Sequence, residues 1–100
     1  MEKRESAREE LNVAVQISID DKNTGCTLIN ISVAGALLRT DPRYQNDITD
    51  EDLGEEAIFI LNHPSLSKRE YTGEIIRMFY KGDEKYFALR FWEKYKELTG

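Results

Sequence analysis

The chain has 100 residues, which is enough for one domain with a modest hydrophobic core. Hydrophobic residues make up 40% and charged residues 33%, a balance typical of a globular domain and not of a disordered chain. The formal net charge of −5 argues against generic binding to DNA, RNA or an anionic membrane. An anionic ligand would therefore have to be captured by a local basic cluster.

The chain carries no hydrophobic segment of the length that membranes require. No apolar run approaches the ~20 residues of a membrane-spanning helix, so we expect no membrane insertion. The first ten residues lack the hydrophobic region of a secretory signal. Cys26 is the single cysteine, which excludes an internal disulfide and fits a reducing cytoplasm. We expect a cytoplasmic protein.

The first half of the chain has the pattern of β-strands. Residues 11–20 alternate apolar and polar side chains, as in an antiparallel strand with one face in the core and the other in water. Turn-forming residues at 21–25 predict a connection to a second strand at about 26–32. Gly35 interrupts that strand, and residues 36–40 resume extended structure.

The second half begins with an acidic segment, residues 41–56, that lacks apolar periodicity and is predicted to be an exposed loop with room for one helical turn. Residues 57–61 form a short apolar run that suits a buried strand. Residues 70–80 and 86–92 are strand-like and flank a turn with Gly82-Asp83 at its tip, so they predict a β-hairpin.

The end of the chain shows a helical spacing. Phe91, Tyr95 and Leu98 lie at i, i+4 and i+7, which predicts a short α-helix over 93–99. About six short strands before it indicate an all-β fold, a small antiparallel barrel that closes its own sheet edges.

Catalytic and metal-binding patterns are weak. His63 and Cys26 lie far apart in sequence and form no recognisable nucleophile–base pair or metal site. The acidic residues lack the spacing of a calcium-binding loop, and neither a P-loop nor a GxGxxG motif occurs. We expect no enzyme activity, no metal and no cofactor.

Aromatic residues interleave with Arg77 and Arg90 in the last two predicted strands. They could form a stacking platform for nucleotide bases, but in a small barrel large aromatic side chains usually belong to the core, and we favour the core. The residues concerned are Phe79, Tyr80, Tyr86, Phe87, Phe91 and Trp92.

Two short motifs remain. Arg4 and Arg8 form an R-x-x-x-R pair in a charged segment. Guanidiniums bind phosphates with two parallel hydrogen bonds and stack on flat rings, so the pair could bind a nucleotide. The segment could also be a solvated arm without a binding role. Asn30, Ser32 and Gly35 form N-x-S-x-x-G after 21 intervening residues. In this order and at this spacing, the two motifs resemble the PilZ domain family, the bacterial receptors for cyclic di-GMP. The resemblance extends to the later strands and covers nearly the whole chain.

The resemblance implies a six-stranded antiparallel PilZ-like β-barrel as a single domain over 1–100. The barrel would span 11–92 and end in the helix at 93–99. A flexible arm at 1–10 would carry the R-x-x-x-R motif and fold over the ligand. The chain would then be a receptor and adaptor that changes conformation on binding cyclic di-GMP and signals to a partner protein that the sequence does not identify.

Each motif residue has a role implied by the family. Arg4 and Arg8 would hold phosphates and guanines, Asn30 and Ser32 would hydrogen-bond a guanine, and Gly35 would permit the local backbone geometry. Lys3 matches the basic position before the first arginine, as in family members that take two intercalated nucleotides; one nucleotide remains the alternative.

The N-x-S-x-x-G motif has two interpretations in terms of local structure. In an extended strand Asn30 and Ser32 face one side, while Ile29, Ile31 and Val33 face the core. The motif could instead be a β-bulge capped by its own polar side chains. Gly35 would supply either a positive φ or room for close approach. If the motif serves only the fold, the chain could be a PilZ-like protein–protein interaction module that binds no nucleotide.

Overall fold

The computed structural model describes residues 9–98, apart from the side chains of Glu9 and Gln45. Within this range the chain forms seven β-strands and two 3₁₀ turns. The strands are β1 (Glu9–Ile19), β2 (Lys22–Ile31), β3 (Gly35–Thr40), β4 (Glu56–Leu61), β5 (Arg69–Lys81), β6 (Glu84–Phe91) and β7 (Lys96–Glu97). The 3₁₀ turns are Pro42–Asp47 and Asp50–Asp52.

Six of these strands close into an antiparallel barrel. They pair in the order β4-β1-β2-β3-β6-β5, and a further pairing between β4 and β5 closes the ring. The short β7 adds to β5 where β6 has ended. The prediction of an all-β, six-stranded antiparallel barrel is confirmed.

The barrel core comes from the inward-facing positions of every barrel strand. The alternation in β1 buries Val15, Ile17 and Ile19, as its period of two predicted. In β4 the same alternation buries Ala57, Phe59 and Leu61 but leaves Ile60 exposed, so this strand is half-buried. The core is completed by Cys26, Leu28, Ile31, Ala36, Leu38, Ile48, Tyr71, Ile75, Phe87 and Leu89.

The two tight hairpins differ from each other in how well the sequence locates them. The β5–β6 turn lies at Gly82-Asp83 as predicted, with Gly82 at a φ of 66°. The β1–β2 turn lies at Asp20-Asp21, because Ile19 already pairs with Lys22. Asp20 adopts a φ of 57°, a left-handed conformation that Asp tolerates better than most residues. The turn predicted at 21–25 was therefore placed too late, and β2 starts earlier.

The acidic segment contains buried residues, so the prediction of an exposed loop is wrong in part. Ile48 lies between the two 3₁₀ turns and is fully inside the core. Asp52 is also buried, accepts a hydrogen bond from the Thr49 backbone N–H at 2.9 Å and pairs with Lys22 at 2.8 Å. Lys85 is buried and donates to the Ile48 carbonyl. These bonds pin the segment to the barrel.

The predicted C-terminal helix does not form. Lys96 pairs with Glu70 as part of β7, and the Leu98 N–H donates to the Lys68 carbonyl. The apolar spacing is satisfied differently: Tyr95 packs on Tyr71, with ring centroids 5.4 Å apart. As an extended segment beside β5, this part of the chain forms backbone hydrogen bonds with β5 and packs the Tyr95 ring on Tyr71 at the same time. A helix would therefore bring no advantage.

Candidate functional site

The N-x-S-x-x-G motif lies at the connection between β2 and β3. Ser32 follows the last residue of β2, and its N–H donates to the Gly35 carbonyl at 2.9 Å. The Ser32 hydroxyl accepts from the Ala34 N–H at 3.3 Å and is 3.4 Å from the Gly35 carbonyl oxygen. This side chain therefore stabilises its own turn, as expected for a bulge capped by its own polar side chains.

The core-facing part of the motif is shorter than predicted. Ile31 is buried, but Ile29 at the bulge is only partly buried, and Val33 is 76% exposed and contributes nothing to the core. The alternation stops at Ile31 because β2 ends there and the chain turns towards β3.

Gly35 is required by the approach of the neighbouring strand. Its φ is not among the positive values in the described residues, which excludes a left-handed conformation as its reason. Gly35 pairs with Arg90 of β6, and a β-carbon on it would lie 2.2 Å from the Leu89 carbonyl oxygen. The residue is therefore explained by contact between β3 and β6.

Two β-bulges bring Asn30 into line with Arg77. In β2 the register steps from Leu28–Leu38 to Asn30–Leu37. In β5 it steps from Ile75–Leu89 to Arg77–Ala88. Each bulge inserts one residue, and together they align four outward-facing residues across four strands. The row runs Asn30, Leu37, Ala88, Arg77.

This row is the floor of an open groove of about 370 Å³ on the outside of the barrel. The Arg77 guanidinium lies 5.0 Å from the centroid of the Phe79 ring, and that ring stacks on Tyr86 at 5.4 Å with an interplanar angle of 8°. The groove thus combines flat hydrophobic faces, a cation and an amide. Its lining residues are Asn30, Ala36, Leu37, Ile76, Arg77, Phe79, Ala88 and Leu89.

Some of the aromatic residues belong to the barrel core, and others lie on the surface where a stacking platform for bases could form. Phe87 is fully buried, and Phe91 stacks on the buried Tyr71 at 4.7 Å. Tyr80 and Trp92, however, are 62% and 51% exposed, and the Phe79–Tyr86 stack lies beside the groove. The preference for the core is therefore wrong for these residues.

Two further arginines flank the groove on the same outer face. Arg39 pairs with Tyr86 on one side, and Arg90 pairs with Gly35 on the other. The register therefore places three arginines on the outer face of neighbouring strands around a flat, partly apolar surface, in a protein of net charge −5. Such a surface suits a ligand with planar rings and negative charge. Sequence reasoning noticed Arg77 but missed Arg39, because only the strand register places it here.

The basic motif itself, Lys3, Arg4 and Arg8, lies outside the described residues, which start at Glu9. The same holds for residues 1–8 of the arm predicted at 1–10, whereas Glu9 and Glu10 belong to β1, so that part of the prediction is wrong. The described chain enters β1 beside the groove, since Glu10 pairs with Asn30.

Cys26 and His63 show no sign of reactivity. Burial raises the pKa of the Cys26 thiol to about 12, so it stays protonated at neutral pH. The Nδ1 atom of His63 accepts a hydrogen bond from the Ser65 N–H at 3.0 Å, which stabilises the loop between β4 and β5. In residues 9–98, no group of three or more His, Cys, Asp and Glu could hold a metal ion. No helix in the same range is long and apolar enough to span a membrane.

Comparison with known proteins supports the fold and identifies the family. No curated protein matches the chain in sequence. The structure of the Bacillus subtilis inhibitor of motility, MotI/DgrA, is similar, with a TM-score of 0.73 and 18% identity over 94% of this chain and 44% of that one. This chain thus spans less than half of that protein, and at this identity the likeness concerns the fold. The family model of the PilZ domain matches residues 2–97, so the chain belongs to the PilZ domain family.

Proposed function

We propose that this protein is a cyclic di-GMP receptor and that the groove beside Asn30 is its ligand site. The observation that carries the proposal is the row that joins Asn30 to Arg77 across four strands. It places Asn30, a residue of the N-x-S-x-x-G motif, in the same groove as the Arg77 guanidinium and the Phe79 ring. The family match, which covers both motifs, supports the same ligand.

The groove offers the contacts that a guanine needs. A flat base would lie on Leu37 and Ala88, beside the plane of the Arg77 guanidinium. The Asn30 amide, which can donate and accept, would bond to the base edge. Arg4 and Arg8 would grip the phosphates, with Lys3 adding charge. Gly35 and Ser32 would act indirectly by fixing the turn that orients Asn30.

The output would be a change of protein surface, with no reaction catalysed. We propose that the chain acts in the cytoplasm as an adaptor. Ligand binding would order the N-terminal arm and thereby change the surface that a partner protein meets. This account requires no metal, no cofactor, no DNA or RNA and no membrane insertion.

Isothermal titration calorimetry with cyclic di-GMP tests the proposal. The parent should bind, and Arg77→Ala should weaken binding, because the cation beside the base is lost. Arg43→Ala is the matched control, since Arg43 lies in the first 3₁₀ turn and pairs with Asp41 at 2.8 Å. The titration also gives the stoichiometry, and a value of two that falls to one in Lys3→Ala would support intercalated nucleotides.

The second candidate function is that of a PilZ domain that recognises only protein. It is favoured by the Ser32 hydroxyl, which is already engaged within its own turn. A parent protein that shows no heat and no chemical-shift change with cyclic di-GMP would support this second function and contradict the receptor proposal.

A further inference from the structure

One carboxylate, that of Glu74, lies next to the groove and accepts hydrogen bonds from two neighbouring side chains. The Glu74 carboxylate accepts from Arg90 Nη2 at 3.3 Å and from Trp92 Nε1 at 2.7 Å. Gly35, Arg90 and Glu74 pair in one row across β3, β6 and β5. This row is adjacent to the row from Asn30 to Arg77, because Arg90 lies two residues along β6 from Ala88.

The two bonds to Glu74 are unequal. The bond from Trp92 is short, whereas the Arg90 contact is long and uses one nitrogen, so it lacks the bidentate geometry of strong guanidinium–carboxylate pairs. The Arg90 side chain is 64% exposed, against 25% for Glu74. An exposed, single-contact ion pair contributes little to stability and exchanges partners easily.

We infer that Arg90 is a further phosphate-binding residue of this site and that Glu74 competes with the ligand for it. The inference rests on the proposed function. An anionic ligand in the groove lies within reach of Arg90, and its phosphate can replace the Glu74 carboxylate on the guanidinium. Glu74 keeps its bond from Trp92 when Arg90 leaves, so it stays in place and continues to compete for the guanidinium. Glu74 therefore sets the affinity of the site.

The test is a double-mutant cycle on cyclic di-GMP affinity, measured by calorimetry on the full chain. Glu74→Gln removes the charge, and its amide oxygen still accepts from Trp92. We expect this variant to bind about threefold to fivefold tighter than the parent, as the strength of exposed ion pairs implies. Arg90→Ala should bind about tenfold more weakly, as expected for a lost charge-assisted hydrogen bond. In the double variant most of the gain from Glu74→Gln should disappear, because Arg90 is no longer there to be released.

Glu70→Gln is the matched control. Glu70 lies on the same strand and pairs with Lys96 at 3.8 Å, away from the groove, so this variant changes the net charge equally without touching Arg90. Its affinity should equal that of the parent.

The outcomes separate this inference from the proposed function. A parent that binds, with Glu74→Gln binding equally well, would overturn the competition and leave the receptor proposal standing. Binding by Glu74→Gln but not by the parent would support the competition and contradict the receptor proposal for the natural chain. If neither binds, both are overturned.

Discussion

Gly35 on β3 lies so close to Leu89 on β6 that a β-carbon on the glycine would be 2.2 Å from the Leu89 carbonyl oxygen, which leaves no room for a side chain. We therefore expect Gly35→Ala to lower the free energy of unfolding by about 1–3 kcal/mol, the usual range for an overpacked site. The added methyl would meet backbone, which cannot rotate away. For a domain of this size the melting temperature should fall by about 4–8 °C for each kcal/mol.

Gly25→Ala is the control for this effect. A β-carbon there would lie 3.4 Å from Gln16 Nε2 and 3.7 Å from Tyr44 Cε2, which is ordinary contact with side chains. Thermal denaturation should show Gly25→Ala close to the parent. If Gly35→Ala had the melting temperature of the parent but no longer bound nucleotide, the glycine would be required by the ligand site and not by the barrel.

The sequence could predict the barrel because its signals are local. Alternation in β1 depends only on neighbouring residues, and it located Val15, Ile17 and Ile19 in the core. The helix at 93–99 was wrong for the opposite reason. Spacing alone could not show that Tyr95 has a ring to stack on at Tyr71, or that β5 has an edge to pair with.

The site was harder to predict than the fold because it is built by register. The motif pointed to Asn30, but the residues that share its groove come from β3, β5 and β6. A one-residue change in register moves a side chain to the other face of a sheet. The bulges at Ile29 and Ile76 decide that Arg77 aligns with Asn30, and nothing in the local sequence marks them.

Arg8 provides the most direct test of the basic motif. A guanidinium on a phosphate makes charge-assisted hydrogen bonds worth about 1.5–3 kcal/mol each. Arg8→Ala should therefore weaken cyclic di-GMP binding at least ~10-fold in calorimetry, by the same principle. The melting temperature should not change, because the core residues in the described part of the chain all lie downstream of this position. Affinity equal to that of the parent would remove Arg8 from the site.

The ionisation of the Asp41 carboxyl can be measured directly as a function of pH. Hydrogen bonds from the Arg43 side chain and backbone lower the pKa of the Asp41 carboxyl from 3.8 to about 2. Because the folded pKa is depressed, the stabilisation is complete above the unfolded value and is lost as pH falls through about 2. An NMR titration should find this low midpoint in the parent. Arg43→Ala should return the midpoint towards 3.8, and an unchanged midpoint would show that the bond from the Arg43 side chain does not form.

Base selectivity is the prediction that tests Asn30. Guanine presents acceptors at O6 and N7 and donors at N1 and N2, whereas adenine has an amino group at position 6 and no amino group at position 2. Arginine donors suit O6 and N7, and the Asn30 amide oxygen can accept from the guanine donors. A site that hydrogen-bonds a ligand group rejects an analogue without it, because the groups of the site lose their partners. We expect cyclic di-GMP to bind on the order of 100-fold tighter than cyclic di-AMP, a modest value for such discrimination.

Variants at two asparagines locate the source of this selectivity. Asn30→Ala should weaken the binding of cyclic di-GMP and leave the binding of cyclic di-AMP nearly unchanged. The ratio of the two affinities should therefore fall. Asn62→Ala is the control, since Asn62 is exposed and lines a cleft between β1 and β4 instead of the groove. Ser32→Ala should reduce the ratio of the two affinities by a smaller amount, because its hydroxyl stabilises the turn that orients Asn30 and does not itself contact a base. Equal affinity of the parent for both dinucleotides would mean that the protein reads only phosphates, and Asn30 would then have no part in recognising the base.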